Sequence, residues 1–397
     1  MHKFFAVRNL LNPHWVFILI VSGMIAILLL MPDLYTSPYA RVEERCVGEV
    51  MEVDNSLMQQ YGIVKAGSQH LKVRVSKGPH AGREVGANND LLGKMESDKM
   101  FKPGDKALLI LSLDNGEIVS ATAYDHYRLP LELMLLSLFA VLIIGFAGIS
   151  GLRALLSFFF AILMIWKIML PGILTGYDPV WIAFAAVTAI SAVTLFLVAG
   201  NVKTAMVAWI GSLLGILLTT GMSMLLFQHF RLHGAVLPFS ETLLYSGFDS
   251  LNLEKLFVAA AFLGASGAVI DVAIDVAAAM YEVAHRRPDL SVKELTKSGF
   301  AVGRAMVSTM VTTLLMAYLS GYMALLMVLI SKGIPPVQIL NLNFVAAEIL
   351  KTVVGSFGLV TVAPFTAIVG GIMYAKRSQE YEKSESFVIS AVQDVQN

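Results

Sequence analysis

Charge and cysteine are what this chain has least of. One cysteine in 397 residues, Cys46, excludes an internal disulfide and a cysteine-based zinc site. Its context, EERC, lacks the small residues of a lipoprotein signal, so it reads as a small, half-buried apolar side chain. Charged residues are 15% of the chain against 56% hydrophobic, and the 29 basic and 29 acidic groups cancel. A chain without a net field gives no reason to expect nucleic acid as a partner. No phosphate loop, dinucleotide fingerprint or HExxH motif is present, so no cofactor is expected and nothing marks the chain as an enzyme. His229 and His233 are four apart, but no third ligand beyond Glu241 is evident, and a metal site is not expected.

What is present is apolar sequence in long runs. A mean hydropathy of +0.71 lies outside the range of soluble domains and implies an integral membrane protein with lipid as its main partner. Eight runs are long enough to cross a hydrocarbon core of roughly 30 Å. They are about Trp15 to Met31, Leu131 to Gly148, Ala154 to Gly172, Val180 to Ala199, Ala205 to Phe227, Leu256 to Ala284, Ala305 to Ile330 and Ala346 to Ala375. The expected fold class is therefore an all-α membrane bundle of about eight helices carrying one small all-β module.

That module is the polar stretch between the first two runs. Turn signals at Lys77-Gly78-Pro79, Ala81-Gly82, Pro103-Gly104-Asp105 and Asp114-Asn115-Gly116 separate short alternating segments such as HLKVRV (His70 to Val75). The size suits a five- or six-stranded barrel of the OB type. The expected domains are an anchor helix at 1–32, retained rather than cleaved, the β module at 40–128, a seven-helix membrane domain at 130–376 and a tail at 377–397. Lys3, Arg8, Arg153, Lys203, the cluster Arg286, Arg287, Lys293, Lys297 and Arg304, then Lys376, Arg377 and Lys383, all fall on one side of this topology. The positive-inside rule puts that side in the cytoplasm, with both termini, and the β module outside.

Within the apolar runs, GASGAVIDVAIDVAAAMYEV holds Asp271 and Asp275, four apart and so on one helix face near the bilayer midplane. An acid there costs on the order of 2.5 to 3.5 kcal/mol, and two on one face read as a coupling site for protons or small cations. Lys167, in FFFAILMIWKIMLPGIL, and Thr309, Thr312 and Thr313, in STMVTTLLMAY, are the candidate partners of the pair. A structural pair locked to such groups is the competing reading. The small residues from Gly264 to Gly267 let neighbouring helices approach closely, and with Gly321 they are the candidate gate. Pro364 in the last run should free a backbone carbonyl.

The segments GASGAVIDVAIDVAAAMYEV, SVKELTKSGFAVGRAMVSTMVTTLLMAYLSGY, GSFGLVTVAPFTA and GNVKTAMVAWIGSLLG resemble the YibE/F-like family of bacterial membrane proteins. The resemblance implies a bacterial inner-membrane location, with an anchor, an outer domain and a helical bundle, and says little about chemistry. More distantly, an acidic helix, a basic amphipathic linker, a threonine-rich helix and a late proline are similar in order to SecF and resistance-nodulation-division membrane domains. That likeness implies proton-coupled export with Asp271 and Asp275 as the protonated groups. Two extra helices, a smaller outer domain and the lack of a second half depart from it. The sequence thus suggests a transporter or export-associated protein with a small-molecule or lipid-like substrate. The alternative is a scaffold whose β module binds an envelope partner. Oligomeric state is open, a homo-oligomer included.

Overall fold

The computed structural model describes residues 13–35, 43–78, 80–114 and 117–396, with side chains at 15–35, 44–78, 80–114 and 117–375. Lys3, Arg8, Pro79 and Asn115-Gly116 lie outside the described residues, as do the side chains of the 377–397 tail. The chain divides into two compact units, one of Thr36–Phe146 and one of Met1–Tyr35 with Ala147–Asn397.

The first unit contains a closed five-stranded barrel. Its strands are β1 (Glu43–Tyr61), β2 (Val64–Lys77), β3 (Glu84–Leu92), β4 (Lys106–Asp114) and β5 (Glu117–His126), in the order β1-β2-β3-β5-β4. All neighbours are antiparallel except β3 and β5. The alternation seen in HLKVRV sends Leu71, Val73 and Val75 inward, where they meet Val50, Leu109, Leu111 and Phe101. Cys46 is part of this core. Burial, and then the charge of Glu44, pushes its thiol up, which disfavours the thiolate form. A two-residue turn joins β1 to β2, with Gly62 at φ +62°, the conformation a tight hairpin needs at its first central position. One polar network crosses the core. Asn89 Nδ2 donates to Gln69 Oε1 (2.9 Å) and to the Lys99 carbonyl (2.7 Å), while Gln69 Nε2 donates to Asn55 (2.7 Å) and the Phe101 N–H to Gln69 Oε1 (3.0 Å). It ties the 93–105 connection to the barrel wall.

In the helical unit α1 (Pro13–Leu30) packs Ile18, Val21 and Leu28 against Phe160 and Leu197. Helix α2 (Leu129–Leu163) continues through a π-helical turn at Met164–Met169 into α3 (Leu170–Leu174). Pro171 has no N–H for the Lys167 carbonyl, which accounts for the widened turn before it. The spans expected at 131–148 and 154–172 are thus one 46-residue run, interrupted at Gly148 (φ 56°, ψ −127°), a conformation open to glycine. Gly148 also lies beside the boundary between the two units, so residues 129–146 group with the barrel.

Helix α4 (Pro179–Val198) starts at the cap Asp178, α5 (Val202–His229) at the cap Asn201, and a short α6 (Ser240–Tyr245) follows. Then come α7 (Leu253–Arg286), α8 (Val292–Ser320), α9 (Met323–Ser331), α10 (Pro336–Leu340) and α11 (Asn343–Gln396). The basic stretch Leu290 to Phe300 is continuous with the apolar helix that follows it. A capping box between Ser291 and Glu294 starts α8 there, and the helix runs on unbroken to Ser320. The run expected at 305–330 is divided by a turn at Gly321-Tyr322. Among the described residues six helices are long and apolar enough to cross a membrane, and the apolar Trp15–Leu30 is shorter.

Candidate functional site

Helix α7 lies at the centre of the unit, packed by α4, α5, α8 and α11. Thirty-four residues at 1.5 Å rise make it about 51 Å long, and Asp271 stands about 27 Å from its start. Val269, Val272, Ala273, Val276, Ala277 and Met280 are buried against neighbouring helices. The opposite stripe is not: Gly264, Gly267, Asp271, Ala278 and Glu282 are exposed, and Asp275 is half-buried. The two carboxyls therefore lie on the one face of the central helix left uncovered among the described residues.

Helix α8 runs antiparallel beside that face. Tyr318 meets Gly264, where an added Cβ would come within 2.7 Å of the hydroxyl, and Met280 meets Gly299. Between these anchors the register places Thr309, Thr312 and Thr313 at about the depth of Asp271. They share its level but not its hydrogen bonds: Thr309 donates to the Met306 carbonyl (3.0 Å) and Thr313 to that of Thr309 (3.2 Å). Back-bonding to the same helix satisfies a hydroxyl locally. Among the described residues neither aspartate has a hydrogen-bond or ion-pair partner.

Lys167 takes another acid. Its Nζ lies 2.5 Å from Asp33 Oδ1, with the Met31 carbonyl at 3.5 Å, just past the end of α1. The reason is position: Lys167 sits in the π-helical turn before Pro171, from which its stem reaches the segment just after α1. Of the candidate gate, Gly264 is pressed by Tyr318, Gly267 has no neighbour within 4 Å of an added Cβ, and Gly321 closes α8. Pro364 lies inside α11 beside Ala363, which packs on Gly303. His229 bonds to the Leu225 carbonyl and His233 to Asn343, so the pair does not converge.

Of two ion pairs that sequence reading missed, one joins elements far apart in the chain and the other lies within α11. Asp178 caps α4 by accepting from the Val180 N–H (3.0 Å) and pairs with Lys255 at the start of α7 (2.5 Å). Burial raises its carboxyl, but the Lys255 and Val180 hydrogen bonds outweigh that and leave it below the ordinary carboxylate value. On α11, Glu348 and Lys351 form a 2.8 Å pair with side chains only 12% and 18% exposed. An i,i+3 pair of opposite charges beside the Asn343 helix start reads in sequence as an interfacial decoration, which hid it. In the linker between α7 and α8, the Arg287 guanidinium holds the Asp289 carboxyl down to about 2.

No curated protein and no solved structure matches the chain. A family model does match, the one described as YibE/F-like protein, over residues 135–376. That span runs from α2 to the last described side chains of α11 and includes both aspartates and the Glu348–Lys351 pair. With more than half its length matched, the chain belongs to the YibE/F-like family.

Proposed function

We propose that the protein is a transporter or export-associated factor of the bacterial cytoplasmic membrane, driven by protons or small cations through Asp271 and Asp275. The observation that carries this reading is that two acids sit unpartnered, one helix turn apart, on the single uncovered stripe of the central helix. Acids whose role was to lock the bundle would be expected to meet a donor on a neighbouring helix. Unsatisfied acids at this depth are instead suited to take and release a proton or cation as water reaches them. The distant similarity to SecF-type domains points the same way. In the topology this reading adopts, eight spans place both termini in the cytoplasm and the barrel, read as OB-type, outside. The 46-residue run supplies two of those spans around Gly148.

The competing account is a scaffold whose β module binds an envelope partner, favoured by the barrel having a core of its own. The two separate on the aspartates. Asp271→Asn and Asp275→Asn should each abolish flux while the protein still purifies as a folded, membrane-inserted species with an unchanged melting temperature. Variants that fail to assemble, together with specific binding by residues 41–128, would favour the scaffold.

A further inference from the structure

A second polar centre lies where α8, the Gly321-Tyr322 turn and α11 meet. There a cavity of about 140 Å³ is walled by residues including Leu315, Leu319 and Leu326, with Glu348, Tyr322 and Thr352 as polar lining. Three observations converge on it. First, the Glu348 carboxyl is incompletely satisfied: Oε2 holds Lys351 at 2.8 Å and the Tyr322 hydroxyl lies beside the carboxyl, while Oε1 is buried with no hydrogen-bond partner among the described residues. A buried carboxylate oxygen without a donor is costly, and a ligand that brings N–H groups relieves that cost. Second, Lys351 already has an alternative seat, its Nζ standing 4.8 Å from the centre of the Tyr318 ring. It can yield the carboxylate to a second cation without losing all compensation. Third, Leu315 and Leu319 on the rim are each about half exposed on the outer surface of the helix pair, so the mouth opens where lipid lies in the reading above.

We infer that this cavity binds a small amphiphilic ammonium ion, whose N–H groups engage Glu348 and Tyr322 while its apolar part fills the leucine-lined space. A volume near 150 Å³ holds about one benzene ring, so the ligand class is a primary ammonium with an aryl or short alkyl group. An anion does not suit the site: Glu348 is the charged group in its wall, and Lys351, paired to it, is not part of the lining. The inference goes beyond the aspartate reading and does not depend on it, because binding at Glu348 needs no flux. Tyr318 links the two places. Its ring receives Lys351, and its unpartnered hydroxyl touches the Gly264 face, seven residues along α7 from Asp271.

The test is equilibrium binding of benzylammonium to the full-length protein in nanodiscs, with toluene and benzoate as probes of shape alone and of the opposite charge. Saturable one-to-one binding is expected, weakened at least tenfold by Glu348→Gln and by Leu319→Trp, which obstructs the cavity and leaves the ion pair intact. Benzoate should bind at least tenfold more weakly than benzylammonium. Glu348→Gln removes half of a buried pair, so if it does not fold, Leu319→Trp decides the matter. The proposal is overturned if benzylammonium does not saturate, if benzoate or toluene binds as well, or if Leu319→Trp leaves binding unchanged. Asp271→Asn is expected to leave this binding within about twofold, so loss of flux and loss of binding are read separately.

Discussion

At the scale of single residues, polar groups in this molecule divide into those that are satisfied and those that are not. Gln69 and Asn89 are wholly buried and tied into five hydrogen bonds that fix the 93–105 connection to the barrel, while Asn89 Oδ1 has no partner among the described residues. Asn89→Leu removes one amide and strands acceptors on Gln69 and Lys99, which by the usual cost of unmade buried hydrogen bonds is about 1–3 kcal/mol. A melting curve of the full-length protein should show the barrel transition lowered, with the helical unit unaffected. Asp178 is satisfied twice over, by its cap and by Lys255. Because its folded pKa is depressed, the stability it contributes is present above the unfolded value near 3.9 and is lost as pH falls through the lower folded value. Asp178→Asn keeps the cap and loses the ion pair, whereas Asp178→Ala loses both, at about 1 kcal/mol more. Thermal denaturation across the acid range should rank wild type above Asn above Ala near neutral pH, with the gap between wild type and Asn closing as pH falls below the ordinary carboxylate range.

The same scale shows what could be read ahead of the structure. Asp271 and Asp275 stood out because acids are rare in such an apolar run, and their common face follows from a four-residue spacing alone. Which way that face points depends on which neighbours cover α7, a tertiary fact with no local trace. Lys167 shows the same limit: its acid, Asp33, lies 134 residues away, so proximity within the apolar runs suggested the wrong carboxylate. Glu348 and Lys351 were hidden by the opposite problem, since adjacent opposite charges near a helix start ordinarily cost nothing in water.

At the scale of elements, the bundle is built by small residues meeting small residues. Gly299 and Gly303 on α8, one turn apart, face Ala367 and Ala363 on α11, with an added Cβ only 2.7 and 2.6 Å from the alanine methyls. On α5, Gly211 lies against Thr366 and Gly215 against Val362, continuing the same one-turn rhythm along α11. Close approach of this kind is how helices associate where no hydrophobic force separates them from lipid. Gly303→Leu should therefore splay α8 from α11 at a cost of about 1–3 kcal/mol or more, while Gly145→Leu, with open space around it, should be tolerated. Thermal stability of the purified variants in one detergent compares them directly. Helix periodicity and the glycine count made the close packing readable in advance, but the pairing of faces was not. Boundaries were less legible. The break at Gly148 and the turn at Gly321-Tyr322 are single-glycine events inside apolar sequence, where a hydropathy window averages them away, and the Ser291 capping box joined a charged linker to the apolar helix behind it.

At the scale of the whole molecule, the account joins a family assignment to a central helix whose acids lie on its least covered stripe. Its functional content rests on whether those acids exchange protons while the protein stays folded. Moving one elementary charge through 100 mV is worth roughly 2.3 kcal/mol, enough to bias two helix arrangements by well over tenfold. The most direct measurement is proton flux into liposomes containing the purified protein, under an imposed pH gradient and membrane potential, for wild type beside the Asp271→Asn/Asp275→Asn double variant. The account predicts flux from wild type and background leak from an equally folded double variant. Equal flux from the two would contradict it and place the coupling chemistry elsewhere in the chain.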